Sequence, residues 1–148
     1  MSERTSQSSS DLSIRAEVNE VRRASAWLEQ IGSELRVPSN QLERLDVCLN
    51  EALANLIFHG DSDDLAPVLL RVGVRNDGGL SEASVTLIDS GPPFDPTSTT
   101  PKPRAASLDE AGPGGLGLMM IRSFSDALVY RYTNGCNEFT FSVSWCDA

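Results

Sequence analysis

A polar loop opens with Asp89-Ser90-Gly91-Pro92-Pro93-Phe94-Asp95-Pro96 and closes with Gly112-Pro113-Gly114-Gly115-Leu116-Gly117-Leu118. The opening segment follows residues 83–88, whose alternation and β-branched side chains predict a strand that delivers Asp89 to the edge of a site. The closing segment leads into the apolar residues 118–121, which predict the start of a helix. Between them, the loop of residues 92–113 is rich in Thr, Ser and Pro, and this composition predicts a mobile lid.

The closing glycines predict an anion site. Glycines let a ligand approach the backbone closely, and free N–H groups at a helix N-terminus suit phosphate. A plain loop before a helix is the alternative interpretation of residues 112–117 when that segment is taken alone.

Length and charge limit the class of protein. The chain has 148 residues, which is enough for one domain, predicted over residues 11–148 after a disordered serine-rich leader at residues 1–10. The net charge of −9 repels nucleic acid and anionic membranes, so we expect a protein or a small ligand as partner. An anionic ligand must then be attracted locally, by helix ends, a metal ion or a few basic side chains.

The cysteines predict a reducing compartment. Cys48, Cys136 and Cys146 are odd in number and lack metal-binding spacing, and His59 is the single histidine that could join them. We interpret them as reduced core or strand residues. No stretch reaches membrane-spanning length and the N-terminus has no apolar signal core, so we expect a cytoplasmic protein.

The order of elements predicts an α+β fold. Strands are joined by tight turns at residues 76–79 and at Asn134-Gly135, which favours a two-layer sandwich: an antiparallel or mixed sheet of about five strands with three helices on one face. The predicted strands cover residues 11–16 (an edge strand), 67–75, 83–89, 127–132 and 138–145. The predicted helices cover residues 18–35, 38–60 and 116–124.

The second predicted helix carries two different faces. One is an apolar stripe that begins at Leu42 and continues down the helix to Leu56. Glu51, Asn55 and His59 are spaced four residues apart and share another face. A carboxylate and an amide on one face suit a metal-bound nucleotide, whereas a solvated polar stripe is the alternative for this spacing alone.

Three motifs occur in one order: Glu51-x-x-x-Asn55-x-x-x-His59, Asp89-x-Gly91-x-x-Phe94-Asp95 and Gly112-x-Gly114-Gly115-Leu116-Gly117-Leu118. Together they resemble the Bergerat-fold ATPases, which include the ATP domains of gyrase, heat-shock chaperones, mismatch-repair proteins and histidine kinases. Within this group the sequence is most similar to the bacterial anti-sigma-factor serine kinases. The likeness covers roughly residues 12–145, and the joint occurrence of the motifs is what makes it specific.

The resemblance implies roles for two residues of the second predicted helix. Asn55 matches the amide that holds Mg²⁺ against the phosphates of ATP, and Glu51 matches the general base that accepts the proton of a serine hydroxyl. His59 has the alternative role of closing its helix, where partial positive charge is favourable.

The resemblance also implies the contacts of the base and the phosphates. Asp89 matches the carboxylate that accepts a hydrogen bond from the adenine amino group, and Gly91 lets the backbone lie near the base. Gly114, Gly115 and Gly117 match the phosphate-side turn.

Other lid and pocket residues have open roles. Lys102 and Arg104 are basic lid residues that either reach a phosphate or stay solvated. Phe94 and residues 119–121 are expected to pack or to form walls of the adenine pocket. The family often has glycine where Pro92 or Pro93 stands and an arginine among the later glycines, and the missing arginine puts transfer efficiency and partner docking in question.

The implied function is an ATP- and Mg²⁺-dependent serine-protein kinase. Such a protein sequesters a sigma factor, phosphorylates an anti-anti-sigma protein and often forms a homodimer. A non-catalytic, ATP-gated protein-binding module is the alternative from another class. The ATP domain of a histidine kinase is less favoured because the single histidine, His59, lies inside the nucleotide helix, and no P-loop motif is present.

Overall fold

The computed structural model describes residues 6–59, 67–97 and 118–146. These residues form strands and helices in the predicted order. The strands are β1 (Ser6–Ile14), β2 (Val68–Asp77), β3 (Leu80–Asp89), β4 (Ala127–Thr133) and β5 (Cys136–Cys146). The helices are α1 (Val18–Glu34), α2 (Ser39–His59) and α3, described over residues 118–124.

The five strands form one antiparallel sheet in the order β1-β2-β3-β5-β4. β5 lies between β3 and β4 because the chain enters the sheet at the β4 edge and returns through a hairpin. Both hairpins use two-residue turns with positive φ at both positions, at Gly78-Gly79 and at Asn134-Gly135, as the predicted turn sequences require. The predicted α+β fold, with five strands and three helices, is confirmed.

The core lies between the sheet and the helices. The first four leucines of the predicted stripe on α2, from Leu42 to Leu53, are buried. They pack with Leu28 of α1, Ile121 of α3 and the inward side chains of the central strands, such as the fully buried Phe141. Each large apolar side chain buried in this way contributes about 1.5–3 kcal/mol, so this layer holds α2 firmly against the sheet.

The opposite face of the sheet is polar. Arg71 of β2 forms an ion pair with its cross-strand neighbour Asp11 at 2.9 Å, and the hydrogen bond from Arg71 lowers the pKa of Asp11. Thr86 and Thr140 form a hydrogen bond of 2.8 Å between β3 and β5. No helix within the described residues combines the length and the apolar character needed to cross a bilayer.

The N-terminal segment corrects one prediction. The disordered leader expected at residues 1–10 is wrong for residues 6–10, which belong to β1 and pair with β2 from Ser6 opposite Asn76 onward. Pairing at a sheet edge satisfies the backbone groups of a polar segment, and composition alone does not reveal it. The edge position is confirmed, although the strand ends at Ile14 rather than at Ala16. Residues 1–5 lie outside the described residues.

Candidate functional site

A cavity opens between α2 and the end of the sheet at which β3 finishes and β5 begins. It is partly open to solvent, and its empty space of about 660 Å³ includes some of that open region. Three of the residues predicted to bind the nucleotide line it, namely Asn55, Asp89 and Gly91. The cavity thus joins the predicted helix motif to the predicted loop motif.

The walls of the cavity are mainly apolar. α2 contributes Ala52 and Leu56, and the sheet contributes Leu87 and Phe139. Phe94, which was expected to pack or to form a pocket wall, does line the cavity and is 44% exposed. Apolar walls with a few polar groups at one edge suit a planar ring that must be oriented.

Asp89 provides the acceptor at the polar edge. Its Oδ1 accepts hydrogen bonds from the backbone N–H of Gly91 at 3.0 Å and from Asn137 Nδ2 at 3.1 Å. A Cβ at position 91 would lie 3.0 Å from the same oxygen, so a larger residue there would require the Asp89 carboxylate to shift by a few tenths of an ångström. Asp89 Oδ2 forms no hydrogen bond with any described residue, which leaves one carboxylate oxygen for a ligand.

Asn137 is a site residue that the sequence motifs do not contain. It is 5% exposed and lies directly opposite Asp89 in the β3–β5 register. Its Nδ2 also donates to the Pro92 carbonyl oxygen at 2.9 Å, and its Oδ1 accepts from the Phe94 N–H at 3.0 Å and from the Tyr130 hydroxyl. The available signal was its inward position in an alternating strand, where a polar residue stands among aromatic ones.

Tyr130 extends this network to the neighbouring strand β4. Burial is the main cause that raises the pKa of its hydroxyl, and the nearby carboxylates of Asp95 and Asp89 raise the pKa further. The hydrogen bond with the Phe94 N–H lowers the pKa and so partly opposes this shift. The phenol is therefore protonated at neutral pH and serves as the donor to Asn137.

Asn55 differs from this network because its oxygen is unsatisfied. Asn55 Oδ1 is buried and has no hydrogen-bond partner among the described residues. An unpaired buried acceptor costs about 1–3 kcal/mol, and a ligand that binds this oxygen would remove the cost. A hard amide oxygen is a ligand that Mg²⁺ accepts, so the residue fits the metal implied by the family resemblance.

Glu51 lies one helical turn before Asn55 and is half-buried. It is not among the described residues that line the cavity. The structure therefore brings Asn55, but not Glu51, to the wall of the cavity.

Several predicted residues lie outside the described part of the chain. These include Lys102, Arg104 and the glycines Gly112, Gly114, Gly115 and Gly117. The side chain of His59 is also outside it. Of the predicted lid, residues 92–97 are described, and Arg122 of α3 donates to the Thr97 carbonyl oxygen at 3.0 Å. Of the predicted packing residues on α3, Ile121 is fully buried whereas Met119 is 57% exposed.

The cysteines are free thiols. Cys48 is buried in the core, while Cys136 and Cys146 lie in β5, as predicted. Burial raises the pKa of Cys48 to about 12, and Arg44 and Glu51 exert smaller, opposing influences. No cluster of three or more His, Cys, Asp and Glu side chains suited to a metal occurs within the described ranges.

Comparison with known proteins agrees with this geometry. Residues 14–143 match the family model of the histidine kinase-like ATPase domain. The chain is 34% identical over 116 residues to the serine/threonine-protein kinase BtrW of Bordetella bronchiseptica. The matched region covers 78% of this chain and 80% of BtrW. It is also similar to the crystal structure of the RsbU and RsbW domains of Rv1364c from Mycobacterium tuberculosis, with a TM-score of 0.56 and 19% identity.

The two similarities carry different weight. The RsbU and RsbW match covers 93% of this chain but the chain spans only 34% of that protein, and at this identity the likeness is one of fold. The family model covers most of the chain, and BtrW is matched over most of its length. The resemblance inferred from the three motifs is confirmed, and the chain belongs to the histidine kinase-like ATPase family.

Proposed function

We propose that this chain is an ATP- and Mg²⁺-dependent serine-protein kinase that acts as an anti-sigma factor. It would sequester a sigma factor and phosphorylate an anti-anti-sigma protein. The observation that carries the proposal is the convergence of Asn55, Asp89 and Gly91 on one cavity. Membership of the family and the similarity to a protein named as a serine/threonine kinase support it.

The base end of the cavity favours adenine. Apolar walls from α2 and the sheet cover a planar ring, and Asp89 keeps one oxygen available as an acceptor. Adenine presents an amino donor at its 6-position, whereas guanine presents a carbonyl acceptor there. A carboxylate that faces the 6-position therefore accepts from adenine and is repelled by the carbonyl oxygen of guanine.

The phosphate end needs local attraction because the protein carries a net charge of −9. Asn55 Oδ1 is the buried acceptor that would hold Mg²⁺. When bound, Mg²⁺ neutralises charge on the phosphates and so favours attack on the terminal one. Gly114, Gly115 and Gly117 are proposed to donate backbone N–H groups to the phosphates, and Lys102 and Arg104 keep the two roles given above.

Transfer requires a base for the incoming serine. In the proposed reaction, the serine oxygen forms a bond to the γ-phosphorus, the bond from that phosphorus to the β,γ-bridging oxygen breaks, and ADP leaves. Glu51 accepts the hydroxyl proton. Glu51 lies one helical turn before Asn55 on α2, which supports a role beside the proposed metal ligand.

A single substitution tests this role. Glu51→Gln keeps the size of the side chain but removes the base, so we expect ATP affinity within about twofold of wild type and phosphoryl transfer reduced by at least about 100-fold. Labelled ATP and the anti-anti-sigma protein captured from the native cell provide the assay, with phosphoserine identified by mass spectrometry. Glu43→Gln, an exposed change on α2, is the matched control. Loss of ATP affinity together with transfer would contradict the role of Glu51.

One observation favours the non-catalytic, ATP-gated binding module as a second candidate. Glu51 is not among the described residues that line the cavity. A module of this kind would bind ATP and hold a protein partner without phosphoryl transfer. Pull-down with and without ATP separates the two functions, because stably bound ATP and a captured partner without phosphoserine would favour the module.

Assembly and location form part of the same proposal. ATP and sigma factors are found in the cytoplasm, which is where we propose the protein acts. A homodimer is proposed from the family resemblance, and light scattering of the pure protein measures it directly.

A further inference from the structure

The amide of Asn137 is held in one orientation. Its Oδ1 accepts from the Phe94 N–H at 3.0 Å and from the Tyr130 hydroxyl, whereas its Nδ2 donates to Asp89 Oδ1 at 3.1 Å and to the carbonyl oxygens of residues 91 and 92 at 3.3 and 2.9 Å. A backbone N–H can only donate and a carbonyl or carboxylate oxygen can only accept. Turning the amide over would oppose donor to donor and acceptor to acceptor.

This orientation determines which oxygen of Asp89 is occupied. Oδ1 receives the Asn137 amide and the Gly91 N–H, and Oδ2 receives no hydrogen bond from the described residues. The carboxylate thus has one oxygen for the protein and one for a ligand in the cavity. Without the amide, a single N–H would hold Oδ1, and the carboxylate would rotate more freely.

Packing alone does not account for an amide at this place. Asn137 shares the inward face of β5 with Phe139 and Phe141, where an apolar side chain is the usual choice. Burying a primary amide is costly unless every polar atom is paired. Here the pairs include Asp89, the carboxylate that lines the cavity among the described residues, which ties the amide to recognition rather than to the core.

We propose that Asn137 is a positioning residue for base selection, with Tyr130 as its support. It fixes the Asp89 carboxylate so that the free oxygen accepts the 6-amino group of the purine. This inference rests on the proposed function, since it requires an adenine nucleotide in the cavity. It assigns selectivity to Asn137, which contacts Asp89, and to Tyr130, which contacts Asn137, rather than to Asp89 alone.

The test compares two triphosphates that differ only at the 6-position. Calorimetry with Mg²⁺ measures the affinity for ATP and for purine riboside 5′-triphosphate, which lacks the amino group. For Asn137→Ala we expect about a tenfold loss of ATP affinity and about a twofold loss for the analogue, because a hydrogen bond to a charged group is at stake. Tyr130→Phe should give the same pattern with about a threefold loss for ATP. Thr140→Val, on the outer face of β5, should change neither affinity.

Each outcome discriminates. Equal losses for both triphosphates would show a purely structural role and overturn the inference, as would an unchanged ATP affinity. If Asn137→Ala does not fold, Tyr130→Phe decides by the same comparison, since it removes one hydroxyl. Wild-type protein that binds neither triphosphate overturns the proposed function itself, whereas wild-type ATP binding with equal losses overturns this inference alone.

Discussion

Replacing Asn55 by leucine should stabilise the ligand-free protein. Asn55 Oδ1 is buried and unpaired within the described residues, which costs about 1–3 kcal/mol in the free energy of unfolding. Leucine has the same number and branching of side-chain heavy atoms and no polar atom, and it also gains roughly 0.5 kcal/mol in helix propensity over asparagine. With about 2–4 °C per kcal/mol for a chain of this size, we expect the midpoint of thermal unfolding to rise by about 6 °C.

The matched control lies on the same helix. Asn50 donates through Nδ2 to the Asp46 carbonyl oxygen at 2.7 Å, so Asn50→Leu gains the same propensity but loses a formed hydrogen bond of about 1 kcal/mol. The control should therefore leave the midpoint unchanged or lower it by about 1–2 °C. Calorimetric scans of both variants and of the wild type, without nucleotide, provide the comparison.

Ligand reverses the order of stability. Mg²⁺ and ATP at 100 times the dissociation constant should raise the wild-type free energy of unfolding by about 2.7 kcal/mol through mass action, and with it the midpoint. The midpoint of Asn55→Leu should not move. A midpoint for Asn55→Leu that falls as far as that of Asn50→Leu would refute the reasoning, because the buried oxygen would then be satisfied in the free protein.

Two further predictions concern charge and thiol chemistry away from the cavity. The hydrogen bond from Arg44 is the main cause that holds the pKa of Asp126 below its ordinary 3.8, and the Ser144 N–H adds to it. The ion pair between Arg44 and Asp126 therefore contributes fully to the free energy of unfolding above about pH 4, and this contribution is lost as pH falls through the lowered pKa. Because the pair is exposed, Arg44→Met should lower the free energy of unfolding by at most about 1 kcal/mol at pH 7. Denaturant titrations at several pH values should also show a smaller decline of stability below pH 4 for this variant than for the wild type. Burial raises the pKa of Cys48 to about 12, so a thiol reagent at pH 8 should modify the exposed Cys146 within minutes and Cys48 only in denaturant, as peptide mapping will record. Rapid labelling of Cys48 in the folded protein would contradict its placement in the core.

The sequence predicted the fold wherever the signal was local. The α2 stripe repeats with helical spacing, and both hairpins carry turn residues that adopt positive φ. Residues 6–10 were missed because a serine-rich segment has no periodicity of its own. Its order comes from pairing with β2, more than 60 residues away in the chain.

In the candidate site, too, residues in local motifs were predicted and a residue placed by strand pairing was missed. Asn55, Asp89 and Gly91 belong to motifs that are short in sequence, and the structure brings them to one cavity. Asn137 is separated from Asp89 by 48 residues, and only the β3–β5 register places them opposite each other. The predicted strand began at residue 138 and left Asn137 out, whereas β5 begins at Cys136. The partner of Asn137 also depended on a strand order in which β5 lies beside β3.

Two parts of the cavity lining are prepared differently for the proposed ligand. Around Asp89, one carboxylate oxygen already accepts from Asn137 and Gly91, and Tyr130 holds Asn137, so a substitution there removes hydrogen bonds that exist without nucleotide. On α2, Asn55 leaves its oxygen unpaired among the described residues, so a substitution there removes a cost that only a ligand relieves. Stability and ATP affinity should therefore fall together for Asn137→Ala and move in opposite directions for Asn55→Leu. The sign of that relation distinguishes a preformed contact from one completed by the ligand.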